Sequence, residues 1–445
     1  MGKLFGTDGI RGVAGEPPLD ARTVFATGWA LGVFLREIGF PGKVLLGEDT
    51  RESSPWVTSH LAGGLRAAGR EAVSAGVLPT PGIAQLVREK RFVAGVMVSA
   101  SHNPYRDNGI KLISATGTKF PDKTEGWLEE RITQQLTEGG DAPTPAPLVD
   151  LSLAEDYLAL LRQKATTDLA NLHLVVDCAN GAAARVAPKL FRELGAQATA
   201  LHAAPDGKNI NENCGALHPE SLAAKVTEVR ADLGVAFDGD ADRAIFVSGS
   251  GRIVNGDGVL LACARSMKEK GKLKGNTVVG TVMANLGLEL ALRDEGLALV
   301  RTAVGDRYVL EEMQRRGANL GGEQSGHVIF LDAAPTGDGL LTALKVLGIL
   351  RERHLTLDEV VADLKVFPQV LRNLRVKEKR PLEELPAVHQ AIREAEAALG
   401  DRGRVVVRYS GTEPLLRVMV EAETQAEVDR WTEHICRAVE ATLGA

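Results

Sequence analysis

The chain has 445 residues, and because hydrophobic cores stop growing at ~250–300 residues it is expected to fold as several domains. Apolar residues at 44% and charged residues at 25% exclude long disorder, and a formal charge of -6 excludes the basic footprint of a nucleic-acid binder. With aromatics at 4% the cores must be built mainly from Ala, Val and Leu, and any anionic ligand must meet Arg and Lys gathered locally.

The opening Met-Gly-Lys-Leu-Phe-Gly carries no apolar signal region, and no run approaches the ~20 apolar residues of a membrane span. A cytoplasmic protein without a membrane partner is expected. Cys178, Cys214, Cys263 and Cys436 lie far apart with no paired spacing, so neither a zinc pattern nor a disulfide framework is expected.

From residue 44 onward one arrangement occurs three times. The first copy has apolar runs at 44–46, 72–78 and 92–99 with a helical stretch at 59–68. The second has runs at 172–177, 196–201 and 233–237 around a helical stretch at 187–194. The third has runs at 277–280 and 297–301 around 286–293, and ends near Leu320. Short apolar runs between helix-period stretches predict βαβ units around largely buried sheets. Residues 148–160, after the Gly-, Pro- and Ala-rich 139–147, predict a linker, and a further boundary is expected near Ser250. Beyond residue 366 the order becomes strand, long helix, strand, strand, helix, which is an α+β pattern rather than a fourth copy.

Each copy leads from its third run into a loop dense in polar chemistry: Ser-Ala-Ser-His-Asn-Pro at 99–104, Asp-Gly-Asp-Ala-Asp-Arg at 238–243 and Gly-Glu-Gln-Ser-Gly-His at 322–327. Ligand loops of open α/β sheets sit at the carboxyl ends of strands. Three equivalent loops predict three walls of one cleft.

Asp238, Asp240 and Asp242 alternate with small residues, so in an extended segment their carboxylates face one side. Three hard oxygen ligands favour Mg²⁺ or Ca²⁺ over zinc. A calcium EF-hand loop is excluded, because its sixth and twelfth positions hold Arg243 and Gly249. Arg243 is placed to balance the carboxylates or hold a phosphate. A solvated acidic turn is the alternative.

Ser101 sits among His102, Asn103 and Asn108, with Lys111 on the following run. A serine hydroxyl needs a base or a metal-bound phosphate opposite it to react, and on this loop alone a capped turn explains the residues as well. Glu323, Ser325 and His327 suit a ring of sugar hydroxyls, or a Gly-bounded turn. Near the end, Arg408, Ser410, Gly411 and Thr412 precede Glu413-Pro414, with Arg417 beyond. Arginine, hydroxyls and a glycine that permits close backbone approach make a phosphate cradle; an ordinary hairpin turn is again the alternative.

Together the four loops resemble those of the α-D-phosphohexomutase superfamily, over essentially the whole chain. Residues 5–12, Phe-Gly-Thr-Asp-Gly-Ile-Arg-Gly, match as well. Asn209-Ile210-Asn211 with Cys214-Gly215, and Gln324 in the third loop, are similar to the bacterial phosphoglucosamine mutase branch. The resemblance implies an α/β fold of three tandem βαβ-type mixed-sheet domains plus a C-terminal α+β domain around a central cleft. The implied domains are a phosphoserine domain (1–150), a metal domain (151–250), a sugar domain (251–365) and a phosphate domain (366–445). Ser101 would carry a phosphate and, with Asp238, Asp240 and Asp242, hold Mg²⁺. Arg11, Lys111 and Arg243 would surround the transferring group, with His327 near the reacting end. Glu323 and Ser325 would hold sugar hydroxyls, and Arg408, Ser410, Gly411, Thr412 and Arg417 the phosphate that is not reacting. Lys208 departs from relatives that often have an uncharged residue there.

The implied reaction is reversible conversion of glucosamine 6-phosphate to glucosamine 1-phosphate through a hexosamine 1,6-bisphosphate, feeding UDP-N-acetylglucosamine and cell-wall synthesis. The implied partner is a small sugar phosphate, and a homodimer stays open. The nearest alternative is the same chemistry on neutral hexose phosphates. A metal-dependent phosphatase and a non-catalytic sugar-phosphate sensor are the readings from other classes.

Overall fold

The computed structural model describes residues 4–6, 8–139, 146–410 and 414–444. The chain divides into two compact units, one of Met1–Thr281 with Thr302–Ala362, the other of Val282–Arg301 with Asp363–Ala445.

The first unit holds three sheets among the described residues. The first runs in the order Ile10–Val13, Asp107–Ser114, Ala94–Val98, Val44–Glu48, Ala72–Val77, Leu148–Val149. Val44–Glu48 and Ala94–Val98 pair in parallel and are almost wholly buried, as central strands covered on both faces must be. Helices Ala21–Glu37, Ser54–Ala67 and Asp122–Glu138 cover one face with Val24, Leu31, Leu61, Leu65, Leu128 and Ile132. The second sheet runs Ile253–Val254, Ala244–Ser248, Leu233–Phe237, His173–Asp177, Gln197–Leu201. In the third, Thr277–Thr281 pairs in parallel with Leu320–Gly322, which pairs antiparallel with Val328–Phe330.

One construction recurs in all three. The strand before each polar loop turns back into an antiparallel neighbour: Val98 faces Ile110, Phe237 faces Ala244 and Gly322 faces Val328. Each loop is thus the tip of a hairpin at the carboxyl end of a buried strand.

Residues 148–160 are not a linker. Leu148–Val149 adds to the edge of the first sheet, with Val73 facing Leu148, and Ser152–Lys164 is a helix that buries Leu153, Tyr157, Leu158 and Leu161. Ile10–Val13 is a strand that the apolar pattern did not mark. It pairs antiparallel with Asp107–Ser114 and sets Arg11 opposite Gly109.

The second unit contains an antiparallel sheet in the order Gln369–Arg375, Leu415–Ala422, Gly403–Tyr409. Helices Pro386–Leu399 and Gln425–Leu443 pack on it through Val388, Ala395, Val428, Ile435 and Val439. This is the α+β texture expected beyond residue 366. No described helix is long and apolar enough to cross a membrane.

Candidate active site

The three hairpin tips of the first unit meet. Ser101 has φ +51°, a left-handed conformation in which a side chain is disfavoured, and its Oγ donates to Asp238 Oδ2 at 2.7 Å. The serine and the carboxylate lie 137 residues apart in sequence.

Asp238, Asp240 and Asp242 do converge, with ligand oxygens within 4.8 Å of one another, and all three are buried. The geometry differs from the expected one. The segment is a turn with Ala241 at φ +55°, not an extended strand, and the turn itself gathers the carboxylates.

Cations close around the trio. Lys111 Nζ donates to Asp240 Oδ2 at 2.9 Å and lies 3.7 Å from Asp242 Oδ2. The backbone N–H of Arg243 donates to Asp238 Oδ1 at 3.2 Å, and its Nε is 3.8 Å from Asp242 Oδ1. His327 Nδ1 is 3.6 Å from Asp242 Oδ2, which joins the third hairpin to the second. Ala244 N donates to the carbonyl of Gly326 at 3.1 Å and reinforces that junction.

Burial and the neighbouring carboxylates of Asp242 and Asp240 push Asp238 well above the usual carboxylate range. Burial also opposes ionisation of Asp242, but Lys111, His327 and Arg243 outweigh it and hold Asp242 well below that range. Burial lowers the pKa of His327, but the neighbouring Asp242 carboxylate outweighs it and carries it up to about 9. His102, 3.2 Å from Ser101 Oγ, is lowered to about 4 by burial and then by Arg243 and Arg11, so it is neutral.

The trio fits a hard divalent cation. Asp240 Oδ1 and Asp242 Oδ1 are buried without a hydrogen-bond partner among the described residues, and Arg243 Nε, 3.8 Å from Asp242 Oδ1, is too far to supply one, so lone pairs are left for a cation. Oxygen-only donors of this charge suit Mg²⁺.

Two groups here had no role assigned from the sequence, although Asp8 lies in the matching segment 5–12. Asp8 pairs with Arg11 and, at 3.2 Å, with Lys111. Burial works against its charge, but Lys111 and Arg11 bring Asp8 down to about 2. Thr80 Oγ1 donates to Asp240 Oδ2 at 2.6 Å. Thr80 opens the helix Thr80–Glu89, and the role of each residue depends on pairing with distant loops. A cavity of about 270 Å³ borders this cluster, lined by Asp8, Thr80, Lys111, Asp242, Arg307 and Thr336 among others.

Glu323 Oε1 accepts from the backbone of Gly305 at 3.0 Å, and Ser325 Oγ stands 3.5 Å from Glu323 Oε2. In the second unit, Arg408 and Arg417 face each other across neighbouring strands. Lys379 Nζ donates to the carbonyl of Ser410 at 2.6 Å. Gly411 and Thr412 lie outside the described residues.

The cysteines are all free and buried. Sequence spacing gave no metal pattern, yet Cys214 meets Asp177 and His202 in space. Asp177 already accepts from Ala179 N at 2.9 Å and Gly215 N at 3.0 Å, with His202 Nδ1 at 3.0 Å, so it reads as a pin between loops.

The chain matches the phosphoglucomutase/phosphomannomutase family along four consecutive stretches: alpha/beta/alpha domain I at residues 2–138, domain II at 155–251, domain III at 255–367 and the C-terminal domain at 371–438. It is 53% identical to a phosphoglucosamine mutase of Koribacter versatilis, covering 99% of this chain and 97% of that one. Against a phosphoglucosamine mutase of Solibacter usitatus the identity is 53%, with 99% of each chain covered. Among solved structures, a phosphoglucomutase/phosphomannomutase family protein from Burkholderia thailandensis has a TM-score of 0.80 at 27% identity, covering 99% of this chain and 97% of that chain.

Proposed function

The chain belongs to the phosphoglucosamine mutases of the phosphoglucomutase/phosphomannomutase family, and we propose that it interconverts glucosamine 6-phosphate and glucosamine 1-phosphate through a phosphorylated Ser101. The observation that carries this reading is the 2.7 Å contact of Ser101 Oγ with Asp238, inside a trio of carboxylates ringed by Lys111, Arg243 and His327.

Phosphoryl transfer is catalysed by alignment and charge neutralisation, with little covalent work for the protein. Phospho-Ser101 gives its group to the free hydroxyl of the hexosamine monophosphate. The bond from phosphorus to Ser101 Oγ breaks as the bond to the sugar oxygen forms; the sugar hydroxyl gives up its proton and Ser101 Oγ regains one, leaving a free serine and a hexosamine 1,6-bisphosphate. That intermediate turns end for end and returns its other phosphate to Ser101. Lys111 and Arg243 surround the moving group, as does Arg11, held by Asp8. His327 lies near the reacting end, and Glu323 and Ser325 take sugar hydroxyls. Arg408, Ser410, Gly411, Thr412 and Arg417 take the phosphate that is not reacting.

Ser101, Asp238, Asp240 and Asp242 would hold Mg²⁺. When bound, Mg²⁺ would offset the negative charge gathered on the transferring phosphoryl group.

The same reading gives the four domains the bounds 1–150, 151–250, 251–365 and 366–445. It puts the protein in the cytoplasm, where its product feeds UDP-N-acetylglucosamine and cell-wall synthesis. The assembly it allows is a homodimer, which solution mass measurement separates from a monomer.

Turnover on glucosamine, glucose and mannose phosphates tests the substrate. The expected order puts the amino sugar first in kcat/KM. An equal or better value on glucose or mannose phosphate moves the reading to the neutral hexoses, and release of free phosphate at the rate of substrate loss moves it to a phosphatase.

A further inference from the structure

The serine loop is gripped from behind by a buried arginine that touches none of the metal-binding carboxylates. Arg51 follows the strand Val44–Glu48, and its side chain and that of Asp49 are fully enclosed. Its Nε donates to Asp49 Oδ2 at 2.9 Å. Its Nη2 donates to the carbonyls of Ser101 at 3.1 Å and Asn103 at 2.8 Å, and its Nη1 to that of Pro104 at 2.5 Å. Asn211, on a loop of the second sheet's region, donates through Nδ2 to the same Ser101 and Asn103 carbonyls at 2.9 and 3.1 Å. Asp49 reaches the loop a second time. Ser99 Oγ donates to Asp49 Oδ2 at 2.6 Å and accepts from the N–H of Ser101 at 2.9 Å.

The peptide groups on both sides of Ser101 are therefore fixed by groups outside the reaction. That is needed, because the left-handed backbone of Ser101 is not one a serine holds by itself. The guanidinium spreads its donors over Asp49 and three carbonyls in one rigid plane, a geometry that a tetrahedral ammonium with three donors on a flexible stem does not reproduce. Asp49 neutralises Arg51, so the pair adds geometry to the loop and little net charge.

Resting on the reading that Ser101 carries the transferable phosphate, we propose that Arg51 and Asn211 are positioning residues that keep Ser101 Oγ aimed at Asp238 in both its free and its phosphorylated form. A clamp of this kind acts on the rate of transfer and leaves substrate binding alone. A misplacement of about 1 Å costs on the order of 100-fold in rate.

The test uses the full-length protein with Arg51→Lys, which keeps the charge and removes the fork, and Asn211→Gly, which accepts the φ of +59° and removes the amide. For each, kcat, KM and the melting temperature are measured with glucosamine phosphate, alongside the single-turnover transfer from phosphorylated enzyme. Arg51→Lys is expected to lose about 100-fold in kcat and in single-turnover transfer, and Asn211→Gly about 10-fold, with KM within threefold of the parent. Parent-like kcat in both variants overturns the clamp, as does a rise in KM and a fall in melting temperature that account for the whole loss. If Arg51→Lys does not fold, Asn211→Gly decides by the same two outcomes. An unsubstituted protein that neither carries phosphate nor turns over the sugar defeats the phosphoserine reading itself, a separate result.

Discussion

Arg408 and Arg417 stand directly opposite one another on the antiparallel strands Gly403–Tyr409 and Leu415–Ala422. Like charges so placed repel by roughly 0.2–1 kcal/mol, and burial together with Arg417 lowers the pKa of Arg408. An anion between the two guanidinium groups reverses that sign. Inorganic phosphate is accordingly expected to raise the melting temperature of the parent protein more than that of Arg417→Ala. The variant should raise KM for the sugar phosphate by about 10- to 100-fold, the equivalent of one charge-assisted hydrogen bond of ~1.5–3 kcal/mol. Equal phosphate stabilisation in both proteins would remove the anion site from this face.

Asp240 uses Oδ2 twice, for Thr80 and Lys111, and leaves Oδ1 buried with no hydrogen-bond partner among the described residues. Asp240→Asn keeps the shape and removes the charge. Activity in Mg²⁺ is expected to fall by about 10²–10³-fold, the scale of losing one preorganised electrostatic group. Chelation should silence the parent protein until Mg²⁺ is returned, and Mg²⁺ should raise its melting temperature but not that of the variant. A variant with the parent's Mg²⁺ titration contradicts the assignment of this loop.

Asp338 is buried where three segments of the first unit join. It accepts from Gln85 Nε2 at 2.6 Å and Leu341 N at 3.0 Å, with Tyr157 Oη at 3.1 Å, and caps the helix Gly339–Arg353. Removing it strands several buried donors, each costing about 1–3 kcal/mol. Asp338→Ala should therefore destabilise the protein by several kcal/mol in denaturant melts, and Tyr157→Phe by about 1 kcal/mol. A loss below about 0.5 kcal/mol for Asp338→Ala, the size of a surface change, would show that the junction carries no load.

His202 is raised above its ordinary pKa, chiefly by its hydrogen bond to Asp177, against the effect of burial. A group with a raised folded pKa stabilises the fold fully below its unfolded value, about 6.5, and loses that contribution as pH rises through the folded value. Its side chain is 30% exposed, so the effect is modest. The stability gap between the parent and His202→Asn should thus be larger at pH 6 than at pH 8. A gap that is constant or grows with pH contradicts the pairing.

Much of the architecture could be read from the chain because its central strands are continuous apolar runs, such as 233–237, found as Leu233–Phe237. Ile10–Val13 escaped notice because Ile-Arg-Gly-Val has no pattern of its own and is a strand only through Asp107–Ser114, far along the chain. Helix Ser152–Lys164 did carry a buried stripe, Leu153, Tyr157, Leu158 and Leu161, but it follows a Pro- and Ala-rich stretch that argued for a linker. In the site, Ser101 and the three aspartates were visible as residue types in a recurring position. Thr80 and Arg51 were not, and Asp8 and Asn211 stood in segments that matched the family without any role being read for them. Their work is done across separations of roughly 50 to 160 residues, and nothing in the local sequence says which distant group each will meet.

Everything in the proposed reaction depends on a phosphate that leaves Ser101 for the sugar and comes back. The most direct measurement phosphorylates the purified protein with a labelled hexosamine 1,6-bisphosphate, removes free ligand, adds unlabelled glucosamine 6-phosphate and follows the label. The expected result is one label per chain, mapped to Ser101, that passes to the sugar within a turnover, with no labelling of Ser101→Ala. Label on another residue, or a Ser101→Ala variant that still interconverts the two phosphates at near the parent rate, would contradict it.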